Sequence, residues 1–100
     1  GSPIDVEVSG IAASALGASR IGDICFDLAS NLARNHPFEA VLVSDAAITA
    51  AQRSLWQTLR LAVEPGAAAT IAALMTGAYR PQPGERVAAL ICGANVDIVV

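Results

Sequence analysis

Residues 67–76 carry no charged side chain, and this stretch constrains the fold more than any other part of the sequence. Proline is well tolerated in the first turn of a helix, so Pro65 can begin one just before the stretch. Gly77 suits the left-handed cap that ends many helices. The pattern predicts a helix over residues 66–76. Because a helix that is apolar on every side has to be buried on every side, we expect more protein around it than its own neighbours supply.

The composition supports that expectation. Of the 100 residues, 54% are hydrophobic and 15% are charged, whereas an ordinary soluble domain carries about 25% charged residues. The length suits a single domain, residues 1–100, which would bury only about two-thirds of the surface of its unfolded chain. We therefore expect a partial domain that either self-associates or packs against further polypeptide.

Charge and cysteine content narrow the classes of function. The net charge of −3 comes without any cluster of basic residues, which argues against nucleic acid as a partner. The longest weakly polar stretch, residues 66–78, is shorter than the roughly 20 residues that span a bilayer. No charged segment precedes an apolar run at the N-terminus, so we expect no signal peptide, no membrane partner and a cytoplasmic protein. Cys25 and Cys92 form neither a disulfide framework nor a metal-binding spacing, and we expect no metal.

Two further helices are predicted before residue 66. The first covers about 22–34, and its apolar face includes Cys25, which we interpret as a core residue. The face is formed by Ile21, Ile24, Cys25, Leu28 and Leu32. The second helix covers about 45–60, and Ser44 is placed to cap its first turn. Residues 1–20 are small and weakly patterned, and we expect an extended segment and a loop there.

Two short apolar runs, residues 40–43 and 87–91, are rich in residues typical of strands buried on both faces. Strands joined through helices pair in parallel with a right-handed crossover. The order helix, strand, helix, helix, strand therefore predicts an α/β fold: three layers, with a short parallel sheet flanked by helices.

Several residues are candidates for chemistry. Cys92 and Gly93 follow the second predicted strand, at the sheet edge where α/β proteins bind ligands, and both ligand contact and a simple turn remain open. Glu64 is either a partner for a helix dipole or a site residue. His36 lies in a polar turn and is interpreted as a surface residue. The glycine spacing that begins at Gly17 is that of a phosphate-binding loop without its lysine, so we interpret it as a glycine-rich loop entering a helix.

Four segments, in order along the chain, resemble the C-terminal part of the threonine/serine dehydratases. These enzymes belong to the tryptophan-synthase-β-like family that depends on pyridoxal phosphate. The segments are residues 10–22, residues 43–48 followed by Leu55-Trp56, residues 63–68 with their Glu-Pro-Gly, and residues 91–97 with their Cys-Gly-Ala-Asn-Val-Asp. Ala94 departs from the second glycine that the family usually has in the last segment.

The resemblance implies part of the large domain of the type II pyridoxal-phosphate fold, in an oligomeric lyase that converts L-threonine or L-serine to a 2-oxo acid and ammonia. It also implies cofactor-binding roles for four residues. Cys92 would contact the pyridine nitrogen, Gly93 and Gly17 would lie in loops that pass the cofactor, and Glu64 would lie near it without a covalent bond.

All six basic residues are arginines, and the chain contains no lysine. The Schiff-base lysine of the family is therefore absent, so we expect no catalytic residue in this chain and no activity from it alone. Its partner would be the missing N-terminal portion of the enzyme, together with a small hydroxyamino acid as substrate. Two alternatives stay open: a non-catalytic module that self-associates, and a fragment of a serine racemase or related hydroxyamino-acid eliminase.

Overall fold

The structure is a computed structural model, and it describes residues 1–97. Its regular elements are helices, which we number in chain order. They are α1 (Ala13–Leu16), α2 (Asp23–Asn35), α3 (Asp45–Leu59) and α4 (Pro65–Thr76). The short helix α1 lies in the segment for which we expected only loop and extended chain.

The helix ends follow the local sequence, and the predicted ends of α2, α3 and α4 are confirmed to within a residue or two. The hydroxyl of Ser44 accepts a hydrogen bond from the backbone N–H of Ala47 at 3.2 Å, which caps α3. Pro65 is the first residue of α4, where its missing N–H costs nothing. Gly77 ends α4 in the left-handed conformation, with φ of 73°, as predicted.

The core lies between α3 and α4. Its members on these helices are mostly alanines, whose small side chains let the two helices approach closely. The buried residues of the cluster are Ile48, Ala51, Leu55, Val63, Ala67, Ala68 and Ala72. Helix α1 packs on the first turn of α4, where Gly66 has no side chain: a Cβ there would lie 2.9 Å from the Cβ of Ala15.

The predicted parallel sheet is wrong, and with it the three-layer α/β class. Residues 40–43 and 87–91 form no strand, and no main-chain hydrogen bond joins them to each other within residues 1–97. Residues 37–41 and 85–89 instead contribute to the lining of one cleft of about 870 Å³, together with Thr70, Ala73 and Leu74 of α4. A β-branched apolar run shows that a segment suits a buried pleated surface, but a strand needs a neighbouring backbone to pair with, and neither segment has one here.

The predicted burial of α2 is also wrong. No residue of α2 is buried, α2 contacts no other helix of the described chain, and Cys25 is exposed rather than part of the core. Helix α4 is buried on one side only, since Met75 is 51% exposed. The accessible surface is 7577 Å², whereas a folded chain of this mass exposes about 5,300 Å². The chain therefore leaves much apolar surface uncovered.

Within residues 1–97, no helix has the length and apolar character needed to cross a membrane.

Candidate functional site

Glu64 lies at the N-terminal end of α4, and its carboxylate is free for contacts outside the helix. The residue is the N-cap of α4, with extended backbone, but its side chain makes no capping hydrogen bond. Its carbonyl oxygen accepts the backbone N–H of Ala68 at 3.1 Å, which begins the helix. The local sequence therefore fixes the backbone of Glu64 and leaves the carboxylate directed by tertiary contacts.

The main partner of Glu64 is Gly93. The backbone N–H of Glu64 donates to the carbonyl oxygen of Gly93 at 3.1 Å. The carboxylate of Glu64 lies directly against the α-carbon of Gly93, so that a Cβ on residue 93 would overlap the carboxylate. A glycine at position 93 is thus what allows Glu64 to occupy this place. Two candidates that lie far apart in the sequence are in contact.

Cys92 precedes Gly93, and its thiol is free and exposed. This end of α4 therefore combines an accessible thiol with a carboxylate and a short backbone loop. A thiol can donate or accept a weak hydrogen bond without carrying a charge, and a carboxylate only accepts hydrogen bonds unless it is protonated. Neither side chain carries a positive charge, so they offer an anion no ion pair.

Gly17 lies in the same region of the molecule but has a local role in the structure. It ends α1, and a Cβ at this position would overlap the carbonyl oxygen of Ala13, so only glycine allows the tight turn. Helix α1 in turn packs on Gly66, two residues after Glu64. The cofactor-binding role of Gly17 stays a prediction, and the same holds for Glu64, Cys92 and Gly93.

His36 follows α2 and is exposed, as expected of a surface turn residue. Its backbone N–H donates to the carbonyl oxygen of Leu32 at 2.8 Å and closes the last turn of the helix.

Sequence reasoning missed two side chains that hold the site together. Gln52 of α3 donates from Nε2 to the carbonyl oxygen of Val63 at 2.8 Å, next to Glu64. Thr70 of α4 places its hydroxyl 3.2 Å from the carbonyl oxygen of Leu90, two residues before Cys92. The sequence could have indicated both residues, because Gln52 is a polar residue on the apolar face of α3 and Thr70 is a polar residue within a run of apolar ones.

A pyridoxal-phosphate ring fits this site only in part. The thiol of Cys92 is accessible to a ring nitrogen, and Gly93 keeps the adjoining backbone free of a side chain. The carboxylate of Glu64 already fills one side of Gly93, which closes that side to a ring. No lysine is present to hold the cofactor covalently. The exposed thiol stays a predicted contact for the ring nitrogen, and covalent attachment would need a lysine that these 100 residues do not contain.

The chain is similar to curated amino-acid dehydratases. It is 42% identical over 66 residues, 66% of this chain, to a phenylserine dehydratase of Ralstonia pickettii. It is 34% identical over 74 residues, 72% of this chain, to a β-hydroxyaspartate dehydratase of Paracoccus denitrificans. Over 98 residues, 97% of this chain, it is 32% identical to the biosynthetic L-threonine dehydratase of Escherichia coli K12.

These matches cover 20%, 22% and 18% of the three relatives, so the chain spans about a fifth of their length. No family model matches the chain. No solved structure matches it either. The similarity thus supports the threonine/serine-type dehydratases over a short stretch of each relative.

Proposed function

We propose that this chain is part of a pyridoxal-phosphate-dependent dehydratase of 2-amino-3-hydroxy acids, in the cytoplasm. The observation that carries the proposal is the match to the L-threonine dehydratase over 97% of the chain, which includes both sides of the Glu64–Gly93 contact. Phenylserine, β-hydroxyaspartate and threonine all carry an amino group on C2 and a hydroxyl on C3. The shared reaction eliminates water from C2 and C3 to give an enamine, and the imine formed from it takes up water and releases ammonia and a 2-oxo acid, so the net loss is ammonia alone. Within this class, L-threonine and L-serine are the substrates that the sequence resemblance favours.

The cofactor, when bound, supplies an electron-withdrawing ring that weakens the bond between the substrate's α-carbon and its hydrogen. In the proposed arrangement the Cys92 thiol lies beside the ring nitrogen. A neutral thiol does not hold a proton on that nitrogen, whereas a carboxylate would. The weaker withdrawal favours rapid loss of the 3-hydroxyl over return of a proton to the α-carbon. Cys92 therefore directs the site toward elimination rather than racemisation.

The lysine that binds the cofactor has to come from polypeptide outside these 100 residues. Mixing the purified chain with pyridoxal phosphate, reducing with borohydride and weighing the peptides tests this point. We expect no adduct on an internal residue, because the only primary amine is that of Gly1. In the complete enzyme the adduct should appear on a lysine of the remaining polypeptide. An adduct at an internal residue of this chain would contradict the proposal.

Substitution of Cys92 in the complete enzyme tests its role. We expect Cys92→Ser to keep dehydratase activity within about tenfold, because a hydroxyl is also a neutral partner, and tenfold corresponds to about 1.4 kcal/mol of barrier. Cys92→Asp should lose more and should raise exchange of the α-proton relative to release of 2-oxo acid. Cys25→Ser is the matched control, since Cys25 is also an exposed free thiol but lies on α2. If Cys92→Asp eliminates as fast as the parent, Cys92 is not at the ring nitrogen.

The exposed face of α2 favours a second candidate, a module that self-associates through this face. Ile24 is 78% exposed and Leu28 is 60% exposed, although both lie on the apolar side of an amphipathic helix. Sedimentation at several concentrations of the isolated chain, with Leu28→Glu and the control Asn31→Glu, tests it. Self-association that Leu28→Glu abolishes and Asn31→Glu preserves supports the module, and a monomer at high concentration excludes it.

A further inference from the structure

Helix α3 has a second face, beside the one packed against α4, and it carries polar, charged and aromatic side chains. Residues three or four positions apart lie on one side of a helix. The side chains of this second face are those of Thr49, Gln52, Arg53 and Trp56. All four line one cavity of about 340 Å³.

Two connecting segments, residues 61–63 and residues 96–97, form the other walls of this cavity. Hydrogen bonds tie both segments to their surroundings. Nε2 of Gln52 donates to the last carbonyl oxygen of the first segment at 2.8 Å. In the second segment, the backbone N–H of Val96 donates to the carbonyl oxygen of Ala94 at 2.8 Å and closes a turn. The cavity is therefore built from a helix face and two anchored stretches of backbone.

The lining combines apolar surface with one cation and one anion. Trp56 and Val96 are half-buried and supply apolar surface. Arg53 and Asp97 are exposed and carry opposite charges. Ligand pockets commonly have volumes of roughly 300–1,000 Å³ and a mainly apolar lining, in which a few polar groups fix the orientation of the ligand. The cavity on α3 has this size and this kind of lining.

Arg53 and Asp97 do not pair with each other. Within residues 1–97 the salt bridge that forms is between Arg20 and Asp5, so the guanidinium and the carboxylate of the cavity lie more than 4.0 Å apart. Asp97 would repel a simple anion, and Arg53 would repel a simple cation. A small zwitterion avoids both repulsions, because its anionic end can meet Arg53 while its cationic end meets Asp97.

We propose that this cavity binds a free α-amino acid as its zwitterion, with the carboxylate at Arg53, the ammonium group at Asp97 and an apolar side chain against Trp56. In an α-amino acid all three groups are attached to one carbon, so one small molecule can reach all three contacts. The site shares no residue with the candidate cofactor site. It does not depend on the proposed function, since binding needs neither a cofactor nor a reaction.

Trp56 is the only tryptophan of the chain, so tryptophan fluorescence reports on this cavity alone. The test is a titration of the purified chain with L-leucine, for which we expect a saturable change in the Trp56 emission. L-Leucine has no 3-hydroxyl, so its binding cannot be that of a substrate for dehydration. Equilibrium dialysis with radiolabelled L-leucine measures the same binding without relying on the indole.

Two derivatives of leucine each remove one of the charges. L-Leucinamide keeps the ammonium group and lacks the carboxylate, whereas N-acetyl-L-leucine keeps the carboxylate and lacks the ammonium group. We expect each derivative to bind about threefold to fivefold more weakly than L-leucine, the upper end of what an exposed ion pair contributes.

Substitutions in the cavity should change this selectivity in opposite directions. Arg53→Gln should weaken L-leucine about threefold to fivefold and abolish its advantage over L-leucinamide, because the carboxylate has lost its partner. Asp97→Asn should weaken L-leucine similarly and abolish its advantage over N-acetyl-L-leucine. Arg86→Gln and Asp27→Asn are the matched controls, since they remove the same charges outside this cavity, and they should leave all three affinities unchanged. All four substituted residues are exposed, so each variant should fold.

No retention of L-leucine at millimolar concentration in the dialysis overturns the proposal. Equal affinities of the parent for L-leucine and its two derivatives also overturn it, because binding would then be apolar only. Unchanged selectivity in both Arg53→Gln and Asp97→Asn overturns it as well. A dehydratase assay on the complete enzyme that fails, while L-leucine binds this chain as expected, removes the proposed function and leaves the amino-acid site intact.

Discussion

Helices α2 and α4 show that a clean amphipathic pattern and burial are separate properties. Helix α2 has the apolar stripe expected of a core helix, yet none of its residues is buried. Helix α4 has no charged face and no clear stripe, yet it buries Ala67, Ala68, Ala72 and Ala73. The presence of a packing partner explains the difference, since α2 contacts no other helix of the described chain and α4 lies against α3. Alanines on facing sides of α3 and α4 let the helix axes come close, and close approach excludes water from both.

The connections of the two helices differ as well. Five residues, 60–64, join α3 to α4. Arg60 begins this connection in the left-handed conformation, with φ of 57°, and its side chain donates to the last carbonyls of α3. So short a connection makes the two helices neighbours in space. Helix α2 is followed by residues 36–44, which form no regular structure and bring it to no other helix.

Replacing one leucine by alanine in α3 and one in α2 should give the largest difference in the free energy of unfolding. Leu55 of α3 is 6% exposed and Leu28 of α2 is 60% exposed. We expect Leu55→Ala to lower the free energy of unfolding by about 2–5 kcal/mol, because it removes buried methyl groups and leaves a cavity. Leu28→Ala should change it by less than about 0.5 kcal/mol. Urea unfolding followed by circular dichroism measures both, and equal losses would mean that α2 is packed in solution.

Enlarging an alanine should give the next contrast. Ala72 of α4 is fully buried, whereas Ala33 of α2 is exposed. Ala72→Leu forces α3 and α4 apart and should cost about 1–3 kcal/mol. Ala33→Leu meets open solvent and should be close to neutral. Thermal unfolding of the two variants measures both effects. An unchanged melting temperature in Ala72→Leu would show that α3 and α4 are loosely packed.

The helix N-termini offer a smaller contrast. Ser44 caps α3 through its hydroxyl, while the N-cap of α2 is Gly22, which has no side chain. We expect Ser44→Ala to cost about 1 kcal/mol of unfolding free energy. Gly22→Ser supplies the missing acceptor and should raise the helix content of α2, by a few tenths of a kcal/mol. Helicity at 222 nm reports both changes. If Ser44→Ala leaves the helicity and the stability unchanged, the Ser44 hydroxyl does not stabilise α3.

The turn after α4 provides the smallest expected effect. The Tyr79 hydroxyl donates to the Glu85 carboxylate, which raises the pKa of Tyr79 and lowers the pKa of Glu85. Because the Glu85 pKa is lowered, the hydrogen bond stabilises the folded chain above pH 4.5, the ordinary glutamate value. This stabilisation is lost as the pH falls through the lowered pKa. Because the Tyr79 pKa is raised, it is present below pH 10.0 and is lost as the pH rises through the raised pKa.

Tyr79 is the only tyrosine, so its absorbance at 295 nm titrates without interference from other tyrosines. We expect the midpoint to lie above pH 10.0 in the parent and to fall in Glu85→Gln, which removes the charged acceptor. Identical midpoints in the two proteins would show that this hydrogen bond does not persist in solution.

The sequence predicted those features of the fold and site that depend on nearby residues. Ser44, Pro65 and Gly77 marked helix ends correctly because caps act within one turn of the chain. The predicted strands at 40–43 and 87–91 failed because the existence of a strand depends on a partner backbone, which no local pattern specifies. The candidates Glu64 and Gly93 were each identifiable, but their contact was not, since it joins residues far apart in the chain.

The sequence by itself determined where α2, α3 and α4 begin and end, and that no lysine is available for covalent chemistry. Only the tertiary structure decided which helix faces are buried, and that Glu64 contacts Gly93. The physical reason is one of range. Backbone propensity and capping act over three or four residues, whereas burial and hydrogen bonds between segments depend on which distant surfaces the folded chain brings together.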